Sequence, residues 1–274
     1  MKWPDHHRLA EALMPAVLEA GRIEMEHLRG AVVVESKADC SPVTAADREA
    51  EAVLHEALSR LAPGVPVIAE ESAAEGKVPA IGDTFFLVDL LDGTKEFIAN
   101  RDEFTVNVGL VVNGRPRFGM IYAPARSELY MTLGPDKAVE ASFSPDAPVQ
   151  KLDTSYLRVI RTRSPNRNHL VALDSRSHRS RADVPLLRNM MIAETRCLGS
   201  SLKFCLLARG DADLYVRAGP TCEWDTAAGQ AILIAAGGTV LALDGRDLEY
   251  GGRARNFINP GFLALGRNSL INKD

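Results

Sequence analysis

The sequence has little of what marks secreted, membrane-spanning or nucleic-acid-binding chains. Its four cysteines, Cys40, Cys197, Cys205 and Cys222, form no C-x-x-C pair and no metal-finger spacing. They read as reduced thiols of a cytoplasmic protein rather than a disulfide framework. The opening stretch Met1–Met14 places charges where a signal peptide needs an apolar run. No segment approaches the roughly 20 apolar residues that cross a bilayer, so an integral membrane protein is not expected. Peripheral attachment to the inner face of the inner membrane stays compatible with the sequence. A formal net charge of −4 gives no general attraction to nucleic acid or to anionic lipid. The histidines His6, His7, His27, His55 and His169 form no ligand pattern, and neither repeats nor low-complexity tracts occur.

What remains is a globular composition, 46% hydrophobic and 25% charged over 274 residues, enough for one large domain or two small ones. Leu9, Leu13, Ala16, Val17 and Ala20 make a helical stripe that Pro15 should kink or restart and Gly30 should close. The β-branched run Ala31–Glu35 reads as a strand. Ala50, Val53, Leu54, Ala57, Leu58 and Leu61 predict a second helix with Thr44 as its N-cap. Val65–Ala69 and Phe85–Val88 read as strands with acids at their C-terminal ends. Phe104–Val112, Asn113-Gly114 and Pro116–Tyr122 form a hairpin signal. A stretch rich in Pro, Asp and Ser between Gly134 and Thr154 suggests a boundary, giving subdomains 1–145 and 146–274. The second half should hold strands near 158–161, 212–216, 239–243 and 262–265, with helices near 201–209 and 226–236. The mixture implies layered sheets and helices.

Acids dominate the informative segments. Val88-Asp89-Leu90-Leu91-Asp92-Gly93-Thr94 runs an apolar strand into two carboxylates and a glycine, Ile68-Ala69-Glu70-Glu71 does the same, and Asp225 follows Trp224 at a predicted helix start. Each has a plain alternative as a surface turn or a helix-dipole acid. If they converge, each raises its neighbours' pKa unless a polyvalent cation replaces the protons. Oxygen-only donors point to Mg²⁺ rather than Zn²⁺. Such ions polarise a phosphate, lower the pKa of bound water and stabilise a leaving oxygen. Gly93 permits close backbone approach, and Thr94 would begin a short helix, 95–100, whose N–H groups face phosphate oxygens.

Together, Glu70-Glu71-Ser72, Asp89-Leu90-Leu91-Asp92-Gly93-Thr94 and Trp224-Asp225-Thr226-Ala227-Ala228-Gly229 resemble the motifs of the inositol-monophosphatase-like superfamily of Mg²⁺-dependent, lithium-sensitive phosphatases. The segments 41–47, 92–97, 199–205 and 259–262 are most similar to its bacterial CysQ-type 3′(2′),5′-bisphosphate nucleotidases. That resemblance implies an α/β (α+β) fold, a layered αβαβα sandwich. It implies two or three Mg²⁺ ions, the first held by Glu70, Asp89 and the Leu91 carbonyl, the second by Asp89, Asp92 and Asp225. It makes Asp47 and Thr94 the water-activating pair, with Glu70 assisting. Asp47 has a compatible local reading as the acid of a capping box begun by Thr44. Substrate contacts would come from Glu70, Leu91, Asp92, Gly93, Thr94, Ser200, Ser201, Lys203 and Asp225. Lys37 is a further site candidate, and Arg176, His178 and Arg179 are candidates for a second phosphate. Leu90 stands where the family usually has Pro, which removes a fixed φ but no ligand. The implied reaction is hydrolysis of 3′-phosphoadenosine 5′-phosphate, a by-product of sulfate assimilation, to AMP and phosphate. An inositol or sugar phosphatase on the same metal centre is the enzymatic rival. A silent phosphometabolite-binding protein is the non-enzymatic one.

Overall fold

The computed structural model describes residues 5–30, 34–36, 42–148, 152–177, 187 and 190–267. In chain order the first half contains α1 (His6–Arg29), β1 (Val34–Ser36), β2 (Pro42–Thr44), α2 (Ala45–Leu61), β3 (Val67–Ala69), α3 (Glu70–Ala74), β4 (Thr84–Asp92), α4 (Thr94–Ile98), β5 (Thr105–Val112), β6 (Arg115–Ala123), β7 (Glu128–Gly134) and β8 (Lys137–Ser142). The second holds β9 (Arg158–Ile160), β10 (Leu170–Ser175), β11 (Ile192–Leu198), α5 (Leu202–Arg209), β12 (Leu214–Arg217), β13 (Thr221–Cys222), α6 (Ala227–Ala235), β14 (Thr239–Ala242), β15 (Ile258–Asn259) and β16 (Phe262–Leu265).

Strands β3 to β9 form one sheet in sequential order, with β3 and β4 parallel and the others antiparallel. A five-stranded sheet runs β11-β10-β12-β16-β14. Alternation on β4 explains the layering. Phe86, Val88 and Leu90 pack with Leu13, Val17 and Leu54 of α1 and α2, whereas Phe85 and Leu87 join α5, α6 and the second sheet. The order is therefore helix pair, seven-stranded sheet, helix pair, five-stranded sheet. Leu187 and Met190 cover part of the outer face of the second sheet.

Several expectations shift. Pro15 lies inside one continuous α1 rather than dividing it, and Asp5 caps that helix. Thr44 is the N-cap of α2 as expected, with Asp47 completing a capping box. Asn113 and Gly114 both take positive φ, 51° and 70°, as a tight antiparallel hairpin requires. The strand at Arg158–Ile160, read as part of the second half, pairs with β8 and extends the first sheet. β4 runs on to Asp92, beyond the expected end at Val88. Glu70 opens the short helix α3 rather than ending a strand.

Two glycines set the depth of α6. Gly109 and Gly119 face each other across β5 and β6. A Cβ on Gly109 would lie 2.8 Å from the Ala227 side chain, and one on Gly119 would lie 2.2 Å from the Ala228 carbonyl oxygen. Only bare backbone lets the start of α6, with Asp225 just before it, settle onto the sheet.

Candidate active site

Period two on β4 points Asp89 to the same face as Phe85 and Leu87, toward α5 and α6. Its register partner on β5 is Asn107, and a register irregularity then brings Asp92 opposite Thr105. Asp225 ends a 3₁₀ turn, Glu223–Asp225, and its Oδ2 accepts from the Cys222 amide at 2.9 Å. Glu70 starts α3, where Glu51 of α2 accepts from the Glu71 and Ser72 amides at 3.1 and 3.2 Å. Three separate elements thus bring Glu70, Asp89 and Asp225 together, with a carboxylate oxygen of each within 4.8 Å of the others.

The convergence is electrostatically costly. Asp89 is pushed well above the usual carboxylate range, first by burial and then by Glu70, Asp92 and Asp225. Asp225 is raised likewise, by burial and then by Asp92 and Glu70. Asp92 is pushed up to about 6, burial outweighing the pull of Lys203 and the bonds from Asn107 and Ser201. Carboxylates arranged this way, with no His or Cys nitrogen or sulfur among them, suit a hard divalent cation.

Gly93 holds φ at 99°, and a Cβ there would meet the Glu103 carbonyl oxygen at 2.8 Å. This left-handed turn starts α4 directly after Asp92. The Thr94 hydroxyl donates to the Leu91 carbonyl at 3.1 Å. Asp47 is buried, and its Oδ2 accepts from the Thr44 amide and hydroxyl at 2.7 and 2.6 Å. A cavity of about 410 Å³ is lined by Glu70, Asp89, Asp92, Thr94 and Asp225 together with Ser200, Lys203 and Arg217, and Asp47 is not among its lining residues.

The expected specificity residues are built into a fastened loop. Ser201 donates its amide to Asp92 Oδ2 at 2.5 Å, and Gly199 donates its amide to Glu103 at 2.8 Å. Lys203 is buried and donates to the carbonyls of Ser200 and Leu198 at 2.6 and 3.2 Å. Desolvation lowers its ammonium to about 8, against the pull of Asp92. Arg176 forks onto Glu103 at 2.6 and 2.7 Å and donates to the Cys197 carbonyl. Lys37, His178 and Arg179 lie outside the described residues. Sequence reasoning passed over Asn107, Glu103 and Arg217. A polar Asn in an otherwise apolar strand was the signal available for the first.

A layered mixed α/β fold with clustered carboxylates in a cavity that Lys203 and Arg217 also line suits the class of metal-dependent phosphate-ester sites. Residues 5–269 match the Inositol monophosphatase family, and the chain belongs to that family. It is 40% identical over 256 residues to the 3′(2′),5′-bisphosphate nucleotidase CysQ of Salmonella typhimurium, covering 93% of this chain and 98% of that one. The CysQ of Escherichia coli is 43% identical over 229 residues, 84% of this chain and 87% of that one. Among solved structures, CysQ from Bacteroides thetaiotaomicron superposes with a TM-score of 0.75 at 34% identity, covering 96% and 98% of the two chains. An inositol monophosphatase from Anabaena gives 0.72 at 25%, with 96% and 92% covered. Among the described residues no helix is long and apolar enough to cross a membrane.

Proposed function

We propose that this chain is a Mg²⁺-dependent phosphomonoesterase that hydrolyses 3′-phosphoadenosine 5′-phosphate to AMP and phosphate in the cytoplasm. The observation that carries the reading is the meeting of Glu70, Asp89 and Asp225 within 4.8 Å, in a cavity also lined by Lys203 and Arg217. The donor set fits Mg²⁺: all oxygen and crowded, with Asp89 and Asp225 raised by burial and then by the neighbouring acids. Glu70, Asp89 and the Leu91 carbonyl would hold one ion, and Asp89, Asp92 and Asp225 a second. When bound, these ions supply Lewis-acid polarisation of the phosphate and charge neutralisation at the leaving oxygen.

The protein's own groups do the rest. Thr94, set by the left-handed turn at Gly93, orients the attacking water, and for Asp47 to take the proton the Thr94 hydroxyl turns from the Leu91 carbonyl it meets here toward Asp47. Glu70 would help to position the same water. The amides at Gly93 and Thr94 receive the phosphate oxygens. Arg217 and the loop around Ser200 and Ser201 meet the remainder of the nucleotide, and Lys203 holds that loop's carbonyls. In this organisation residues 1–145 carry most of the ligands. Residues 146–274 bring Asp225 and the specificity loop, with β9 reaching back into the first sheet.

The relatives named bisphosphate nucleotidases favour the nucleotide over an inositol ester. The metal centre treats phosphate monoesters alike, so discrimination comes from groups beyond it. Phosphate release from 3′-phosphoadenosine 5′-phosphate and from inositol 1-phosphate, with Mg²⁺ and after exhaustive chelation, tests both halves. A higher kcat/KM for the nucleotide and loss of turnover on chelation are expected. Preference for the inositol ester would overturn the substrate, and full activity without metal would overturn the mechanism.

A further inference from the structure

Behind Asp92 lies a row of polar side chains that neither the metal site nor the substrate loop accounts for. Thr105 and Asn107 are wholly buried on β5, on the face that Asp89 shares, and Ser201 is 2% exposed at the start of α5. Thr105 Oγ1 and Ser201 Oγ lie 2.9 Å apart, Ser201 Oγ donates to Asn107 Oδ1 at 2.7 Å, and Asn107 Nδ2 donates to Asp92 Oδ2 at 3.2 Å. A hydroxyl has one proton to give. Since Ser201 spends its proton on Asn107, Thr105 must be the donor to Ser201. The three bonds therefore run one way, Thr105 to Ser201 to Asn107 to Asp92, and end on a carboxylate.

Asp92 fixes the Asn107 amide, because a carboxylate oxygen accepts and only the NH₂ can donate to it. Reversed, two acceptor oxygens would face each other with no proton between them. With the Ser201 amide, Oδ2 accepts two donors, while Oδ1 accepts from no protein group among the described residues. One carboxylate oxygen is held by the protein and the other is left without a protein bond among the described residues, in the cavity that Glu70, Asp89 and Asp225 also line, although Asp92 stands outside the group of three that lies within 4.8 Å.

We infer that Asn107 is a positioning residue for the metal site: oriented by Ser201 and Thr105, it holds Asp92 Oδ2 so that Oδ1 faces the cation. The inference rests on the metal-site reading above. It also explains why Ser201, read as a substrate contact, is buried between two strands' side chains. Its hydroxyl serves the carboxylate, and the loop it begins is tied to the metal centre.

Calorimetric titration of Mg²⁺ into metal-free protein tests this without recourse to turnover. Asn107→Leu should weaken Mg²⁺ binding roughly tenfold, the low end for a charge-assisted bond. Ser201→Ala, which keeps the backbone donor, should weaken it about threefold, as for a neutral bond. Thr105→Val should weaken it least. The apo melting temperature, taken on each variant, reads the structural cost separately. Wild-type affinity in a folded Asn107→Leu overturns the inference, as does a lowered apo melting temperature with Mg²⁺ affinity unmoved. If Asn107→Leu does not fold, graded losses in Ser201→Ala and Thr105→Val sustain the inference and unchanged affinity in both overturns it. A wild type that takes up no Mg²⁺ overturns the metal-site reading itself, and this inference with it.

Discussion

Two groups of buried acids in this molecule are treated in opposite ways. Asp213 lies under the second sheet, where Arg163 forks onto it at 2.6 and 2.8 Å and the Val171 amide adds a third bond at 2.8 Å. Glu103 is similar: burial alone would raise it, yet Arg176 and the Gly199 amide hold it below the usual glutamate range. Glu70, Asp89 and Asp225 instead face one another, and the Leu91 amide on Asp89 and the Cys222 amide and Arg217 beside Asp225 do not offset the burial and repulsion that raise these two aspartates. Burial of an acid is thus no sign of function by itself. An acid matched by its own cation and amides holds the fold together, and acids left to repel one another await a cation from outside.

Substitution should separate the two groups. The largest effect on turnover belongs to Asp225→Asn, which removes a proposed ligand. Its kcat/KM for the nucleotide should fall beyond the roughly 100-fold upper end for residues that only support ligands, with the fold intact by circular dichroism. A loss below tenfold would move Asp225 into the structural group. Asp213→Asn should do the reverse. Leaving Arg163 and the Val171 amide short of a full partner should cost about 3 kcal/mol in denaturant unfolding, equally with and without Mg²⁺. A metal-dependent loss there would blur the distinction.

Glu24 sharpens the comparison because it fits neither group. It is wholly buried on α1, and both carboxylate oxygens lack a hydrogen-bond partner among the described residues. Burial, and then Asp47, push it well above its ordinary value of 4.5. A carboxyl raised on folding costs stability once the unfolded chain ionises. Glu24→Gln should therefore raise the melting temperature by roughly 2–4 °C at pH 8. The gain should fade as the pH drops below 4.5, where Glu24 is protonated in both states. A gain independent of pH would mean that packing, not charge, is being relieved.

Much of this was legible in the sequence where the signal is local. The Asp-Gly-Thr segment, the Thr44 cap and the Asn113-Gly114 hairpin each depend on a few neighbouring residues, and each stands where local chemistry put it. Strands β7, β8, β10 and β11 went unread. β11 is an exposed edge with Glu194, Thr195 and Arg196 in its middle, so it has no hydrophobic alternation to find. β9 was read as a strand, but its pairing with β8 depends on which sheet edge lies open, which no periodicity encodes. At the site, the acids announced themselves by motif. Their supports did not: Asn107 meets Asp92 across a strand pair, and Ser201 reaches both from a residue 94 positions away from Asn107. The part taken by Gly109 and Gly119 emerges only once α6 is laid against them.

The most direct measurement is thermal melting at pH 8 of the wild type and Asp89→Asn, each with and without Mg²⁺. Asp89 lies at the centre of the repulsion, so removing its charge should leave the apo variant melting at or above the apo wild type. Mg²⁺ should then raise the wild type and leave the variant almost unmoved. An apo variant that melts well below the wild type, with both shifted equally by Mg²⁺, would make Asp89 a structural acid and contradict the account.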